Sequence, residues 1–340
     1  MTIVSVTDAL GKKVFLRKPP QRIVSLVPSD TYSLVRLGAR ERLVGGSDYC
    51  VEPADELAGL ARVGGTKACD VRRVLELEPD LVLANREENG RRDVERLEEA
   101  GVPVYTSFPR SVADGVSHVA RLARLLGLDA SRPDAPVALR EKAKATVRAL
   151  YEALSRAEGE VRLAAPLRVF VPIWMNPLMT ANGDTFLSSV LATLGALNVF
   201  GSRERRYPLE ADLGRAPALA PERTEGRDTR YPRVTLAEVA EHAPDVVLLP
   251  DEPHFFTEAD EAQLRGAVPA ARIVRCDGKD LTWYGARAVE GLGRLRALLG
   301  ASGAASRSWR SCTSTRPPRR QPCRRWSPTF PRSSTSQSAA

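Results

Sequence analysis

The sequence predicts an α/β protein of two similar lobes, each with a mainly parallel sheet, joined by one long helix. Three observations predict it: a helix–strand unit that occurs twice, alternation of strand and helix patterns around each copy, and one uninterrupted helical stretch between them. The unit reads Arg73-Val-Leu-Glu-Leu-Glu-Pro-Asp-Leu-Val-Leu-Ala84 and again Glu238-Val-Ala-Glu-His-Ala-Pro-Asp-Val-Val-Leu-Leu249. In both copies a proline ends an amphipathic helix, and the short apolar run after Asp has the look of a parallel strand buried on both faces. Pro79 and Pro244 lie 165 residues apart, too far for stacked repeats and right for two related domains.

The first lobe, residues 1–130, opens with a hairpin-like pair, residues 3–6 and 13–16, around Asp8-Ala-Leu-Gly11. Residues 22–27 read as a buried strand stopped by Pro28-Ser29-Asp30, and Thr31 is placed to cap a helix over 32–37 that Gly38 ends. A short strand over 43–46 follows. Asp70 is the expected cap of the first repeat helix, and 81–84 is the strand of that repeat. A charged helix over 91–100, a strand over 102–105 and a helix over 111–126 complete the lobe. The Ala-rich stretch 133–158 has no internal breaker and spans roughly 40 Å as a helix, so residues 131–160 are assigned as the link. In the second lobe, 161–300, a strand over 168–171, a helix over 186–194 after Asp184, the second repeat, a strand over 272–275 and a helix over 286–299 repeat the scheme. The predicted fold is therefore two Rossmann-like lobes with helices on both faces of each sheet.

Composition narrows the function. The 340 residues hold enough chain for two ordinary cores, with 43% apolar and 27% charged residues. The net charge of +8 lies entirely beyond residue 300, where eight Arg meet no acid. The neutral body argues against specific nucleic-acid binding and leaves phosphate attraction, at most, to the tail. That tail, 301–340, is rich in Ser, Arg and Pro and is expected to be disordered, although the out-of-frame end of a high-GC gene looks the same. Cys50, Cys69 and Cys276 lack metal-ligand spacing and read as reduced thiols, with Cys50 and Cys69 free to approach one another. No phosphate loop of GxxxxGK[ST] form and no Ser-His-Asp or Cys-His arrangement stands out, so a non-enzyme is expected. No stretch has the ~20 apolar residues of a membrane span, and the N-terminus lacks a signal-peptide core. As written the chain is expected in the cytoplasm; a start codon called too late gives the same appearance.

Three local motifs add a resemblance: Pro20-Gln-Arg-Ile-Val-Ser-Leu-Val-Pro-Ser29, Val63-Gly-Gly-Thr66 and Asp280-Leu-Thr-Trp-Tyr-Gly-Ala-Arg287. In this order, around the repeated unit, they make residues 2–299 resemble the helical-backbone (class III) solute-binding proteins of ABC importers, receptors for vitamin B12, iron–siderophores and haem. The resemblance implies a stiff linking helix, small closure, and a cobalamin, ferric siderophore or haem bound between strand-end loops. It further implies a permease partner and a periplasmic location; a monomer without a cofactor of its own is expected. By position the matching loops contain Ser29, Asp30, Tyr49, Lys67, Arg86, Glu87, Trp174, His254, Trp283, Tyr284 and Arg287.

Residue chemistry supports these positions independently, since ligands of open α/β sheets gather at the carboxyl ends of strands. Tyr49, Trp174, Trp283 and Tyr284 offer flat faces to a corrin or porphyrin ring. Lys67, Arg86 and Arg287 suit carboxylates or a phosphate. The run Arg86-Glu87-Glu88 mixes signs and admits an internal salt bridge. His118 and His242 read as structural, whereas His254 at the cleft rim offers one imidazole to iron or cobalt. One departure concerns the partner: the glutamates by which such receptors dock their permease are replaced by Arg72 and Ala237, with Glu238 one helical step, ~100°, away. The alternative is a repurposed cytoplasmic binding protein or a chelatase-like protein acting on a tetrapyrrole.

Overall fold

The N-terminal half begins with an antiparallel hairpin of β1 (Val4–Thr7) and β2 (Lys13–Leu16), whose turn uses Gly11 at φ 78°. There follow β3 (Ile23–Ser25), α1 (Pro28–Arg36), β4 (Leu43–Gly46), β5 (Ala61–Arg62), α2 (Val71–Glu76), β6 (Leu81–Asn85), α3 (Arg91–Glu99), β7 (Val104–Ser107) and α4 (Val112–Leu125). Strands β5-β4-β3-β6-β7 form one parallel sheet in that order. After α5 (Val137–Gly159) come β8 (Leu167–Phe170), β9 (Pro172–Met175), β10 (Leu178–Thr180), α6 (Phe186–Thr193), β11 (Ala196–Asn198), α7 (Leu209–Asp212), α8 (Leu236–Glu241), β12 (Val246–Pro250), α9 (Glu258–Ala267), β13 (Arg272–Cys276), α10 (Lys279–Thr282) and α11 (Ala286–Gly300). The second parallel sheet has the order β11-β8-β12-β13, with β9 and β10 paired as a separate hairpin. This computed structural model describes residues 4–129, 135–160 and 166–300; the expectation for 301–340 lies outside the described residues.

The repeated unit is a staple between a helix end and the neighbouring strand. Asp80 accepts hydrogen bonds from the backbone N–H of Gln21 (2.8 Å) and Arg22 (2.9 Å), fixing the start of β3. The Arg22 guanidinium returns the contact by donating to the carbonyls of Leu77 and Glu78 at the end of α2. The second copy does the same: Asp245 accepts from Arg168 N–H at 2.8 Å, and Arg168 donates to the carbonyls of His242 and Ala243. Helix ends leave such carbonyls without intrahelical partners, and here an arginine one strand away satisfies them. The chain reverses through Glu78 (φ 45°) and Ala243 (φ 39°) before each proline.

Strand periodicity explains why the apolar runs lack polar breaks. Ile23, Leu81 and Leu83 face one apolar cluster, while Val24, Val82 and Ala84 face another across the sheet. Likewise Val246 and Leu248 face the first cluster, and Phe170, Val247 and Leu249 a third. The first cluster is shared: it runs from the inner face of one sheet through α1, α4, α5, α6 and α11 to the inner face of the other. Each half thus keeps a private core on its outer face and contributes to a common one. Helix α5 buries Ala143, Leu150, Leu154 and Ala157 in this common core, against α4 and α11.

Two expectations shift. Helix α1 starts at Pro28, not after Thr31, because a proline at the first helical position loses no needed N–H. Thr31 therefore lies inside the helix, its hydroxyl donating to the Val27 carbonyl at 3.1 Å. The hairpin β9–β10 and helix α9 were not expected, although Thr257 and Asp260 form a capping box that marks the start of α9.

Candidate ligand-binding cleft

Parallel strands point their carboxyl ends the same way, so the loops after β3, β4, β6 and β7 gather at one edge of their sheet, and those after β12 and β13 at one edge of theirs. Side-chain contacts bring the two edges together. Tyr284, before α11, reaches into the N-terminal half, where its hydroxyl lies 2.7 Å from Ser107 Oγ and 3.3 Å from Asn85 Nδ2. Glu52 is held by Lys279 Nζ and Arg287 Nε, each at 3.4 Å. Glu87 meets Arg230 and accepts a short hydrogen bond from the Tyr231 hydroxyl.

The expected site residues divide by environment. Ser29 and Asp30 are buried in the first turn of α1; Asp30 Oδ1 sits 2.6 Å from His118 Nε2, and Tyr105 stacks on the same imidazole. Trp283 and Tyr284 are only 7% and 3% exposed, so both are packed inside the protein, Tyr284 against the N-terminal half, and burial pushes the Tyr284 phenol well above its usual pKa. Arg287 is also buried, ion-paired with Asp277 (2.5 Å) and Asp280 (2.7 Å) besides Glu52. Tyr49, by contrast, is 54% exposed beside Gly65. Lys67 is exposed and donates from Nζ to the Glu87 carbonyl. Half-buried Trp174 and His254 meet at 4.9 Å between ring centroids, and His254 Nε2 lies 3.7 Å from Asp260.

The mixed-sign run resolves differently from an internal salt bridge. Arg86 lies over the Phe108 ring at 5.4 Å, and Arg230 over the same ring at 5.2 Å. The partner of Glu87 is Arg230, 143 residues away, not Arg86. Half-buried Glu88 has a carboxyl pushed up to about 8, by burial first and then by Asp30 and Glu87, with Lys67 opposing and Glu252 adding. Burial likewise raises Glu252, which Lys279 and Thr282 partly offset. The contacts between the halves are thus made by acids and cations with an aromatic face at Phe108, while Tyr49 follows β4 and Trp174 lies in the hairpin strand β9. Among the described residues no group of three His, Cys, Asp or Glu is arranged to hold a metal ion. Cys50, Cys69 and Cys276 are free thiols.

Glu52, Glu88, Phe108, Arg230, Tyr231 and Glu252 are absent from the expected set. The repeat contained a signal for two of them: the offset that maps Pro79 on Pro244 maps Thr66-Lys67 on Tyr231-Pro232 and Glu87 on Glu252. The expected permease-docking positions are both exposed, Arg72 near Glu76 at 3.6 Å. Glu238 is engaged in the Thr235 capping box and lies 3.4 Å from Arg203.

Known proteins share this plan. The Vitamin B12-binding protein of Yersinia pestis (strain Pestoides F) is 28% identical over 188 residues, 55% of this chain and 63% of its own length. The chain thus matches less than two thirds of that relative. The periplasmic vitamin B12 binding protein BtuF of Vibrio cholerae superposes with a TM-score of 0.61 at 21% identity, covering 83% of this chain and 97% of that one. The periplasmic heme-binding protein RhuT from Roseiflexus sp. RS-1 gives a TM-score of 0.64 at 18% identity, covering 82% and 97%. At these identities the likeness is one of fold. The sequence profile of the family described as periplasmic binding protein matches residues 23–249, both repeat units included, and the chain belongs to that family.

Proposed function

We propose that this chain is a non-enzymatic receptor for a metal chelate, a cobalamin, haem or ferric siderophore, held between the two strand-end edges and delivered to an ABC permease. The observation that carries the reading is the pairing of a shared apolar core on one side with opposed charged and aromatic loops on the other. A common core keeps the halves at a set distance, and the loops supply flat faces and fixed charges. The names of the vitamin B12- and heme-binding relatives support the same ligand class. Action as a monomer without a cofactor of its own, outside the cytoplasm, completes the proposal; size-exclusion chromatography and cell fractionation test these parts.

The direct test is a thermal-shift screen against cobalamin, haem and a panel of ferric siderophores. A saturable shift with one of them, reduced tenfold or more in affinity by Trp174→Ala, is expected. Trp174 is the better variant than Trp283, whose burial makes its loss a packing defect. The absence of any shift across the three ligand classes overturns the receptor reading.

A further inference from the structure

The contact of Glu87 with Arg230 and Tyr231 is built like a binding site already filled. Arg230 is fixed on the C-terminal half: Asp228 holds its guanidinium at 2.9 and 2.7 Å, and its carbonyl accepts from Asn182 N–H at 2.8 Å. Phe108 supports the guanidinium face, with Arg86 over the same ring. The neighbouring Tyr231 hydroxyl is kept protonated, since burial and the Glu87 carboxylate push its pKa well above the usual value. A guanidinium and a phenol O–H converging on one point form a carboxylate seat. The carboxylate in it comes from the opposite half of the molecule: Glu87 lies 3.3 Å from both Arg230 Nη1 and Nη2.

Building on the proposed ligand role of the cleft, we infer that Glu87 is an internal stand-in for a ligand carboxylate. Arg230 and Tyr231 form the seat, Glu87 closes it in the ligand-free protein, and a carboxylate-bearing chelate binds by displacing it. The exchange replaces one carboxylate by another, so its direct contacts nearly cancel. Affinity is then reduced by the fraction of molecules in which Glu87 fills the seat. Removing that charge frees the seat, whereas removing Arg230 destroys it, so the two changes act in opposite directions. A purely structural cross-link predicts no such opposition.

The test uses the full chain and two probes sharing one ring: haem, which carries two carboxylates, and its dimethyl ester, which carries none. Affinities are read by absorbance titration for the native protein, Glu87→Gln and Arg230→Gln. Haem is expected to bind tenfold or more tighter to Glu87→Gln and tenfold or more weaker to Arg230→Gln. The ester is expected to stay within about twofold in both, which also shows that the variants are folded. Weaker or unchanged haem binding by Glu87→Gln, or an equal change with the ester, overturns the stand-in. If cobalamin, which has no free carboxylate, binds while haem binds to no variant, the stand-in fails and the receptor reading survives. If no chelate binds to any variant, both fail.

Discussion

The two halves meet through surfaces of opposite character. On one side α4, α5, α6 and α11 merge their apolar faces into a common core, where Gly115 and Gly285 approach so closely that a Cβ on Gly115 would sit 2.8 Å from the Gly285 nitrogen. On the other side Glu52 reaches Lys279 and the buried Arg287, and Glu87 reaches Arg230, in ion pairs whose carboxylates stay partly exposed. Close-packed apolar contact is rigid and insensitive to salt and pH, whereas solvent-facing ion pairs are weak and adjustable. The difference divides the labour: the core sets how far apart the loops stand, and the rim decides which charges are welcome between them.

The largest effect expected from breaking this comparison lies in the shared core. Leu295→Ala removes a fully buried side chain of α11 and is expected to lower stability by about 3 kcal/mol in chemical denaturation. Hydrogen exchange should show both halves losing protection together; loss confined to one half would disprove a shared core.

Next comes Gly285, at φ 78°, where an added Cβ meets Ser33 Oγ at 2.8 Å and Val119 at 3.1 Å. Gly285→Ala should cost about 2 kcal/mol, from overpacking as well as conformation. Gly59→Ala, at φ 77° with open space around it, is the control that isolates conformation and should cost about 1 kcal/mol. Equal melting-temperature losses for the two would mean that the close approach contributes nothing.

Glu88 probes the rim through pH. Its folded carboxyl titrates at about 8 against an ordinary value of 4.5, so between those values the folded chain holds a proton that the unfolded chain has lost. Stability contributed by this group is therefore present at acid pH and falls as pH rises through the window. Glu88→Gln should remove that slope, gaining about 1 to 2 kcal/mol over the native protein at pH 8 and nothing below about pH 4. A constant difference across that range would assign the effect to something other than titration.

The smallest effect is expected at the other clamp. Lys279 and Arg287 already pair with Asp277 in their own half, so Glu52→Gln should cost less than about 1 kcal/mol, and the loss should shrink further in high salt. A loss of several kcal/mol, unchanged by salt, would place Glu52 among the rigid contacts.

How much of this was legible depends on the range over which each feature is decided. The repeated unit was readable because proline, aspartate and the apolar run act within a dozen residues, and both copies fold as expected. The long helix was readable for the same reason, since an Ala-rich stretch without a breaker needs no distant partner. The site was less legible. Polar neighbours in the sequence made Trp283 and Tyr284 look exposed, yet the partners of Tyr284 are Ser107 and Asn85, 177 and 199 residues away. Arg86 and Glu87 looked like partners because they are adjacent, yet each interacts with a different element.

By itself, then, the sequence determined the α/β class, the two related halves, the linking helix and the strand-end loops that carry the candidate site. Backbone chemistry and hydrophobic periodicity settle these locally. Only the tertiary structure decided that the halves share a core, that Tyr284 is packed between them, and that Glu87 fills a seat on the opposite half. Those outcomes depend on which surfaces are pressed together, and contacts between residues more than a hundred positions apart leave no periodic trace in the chain.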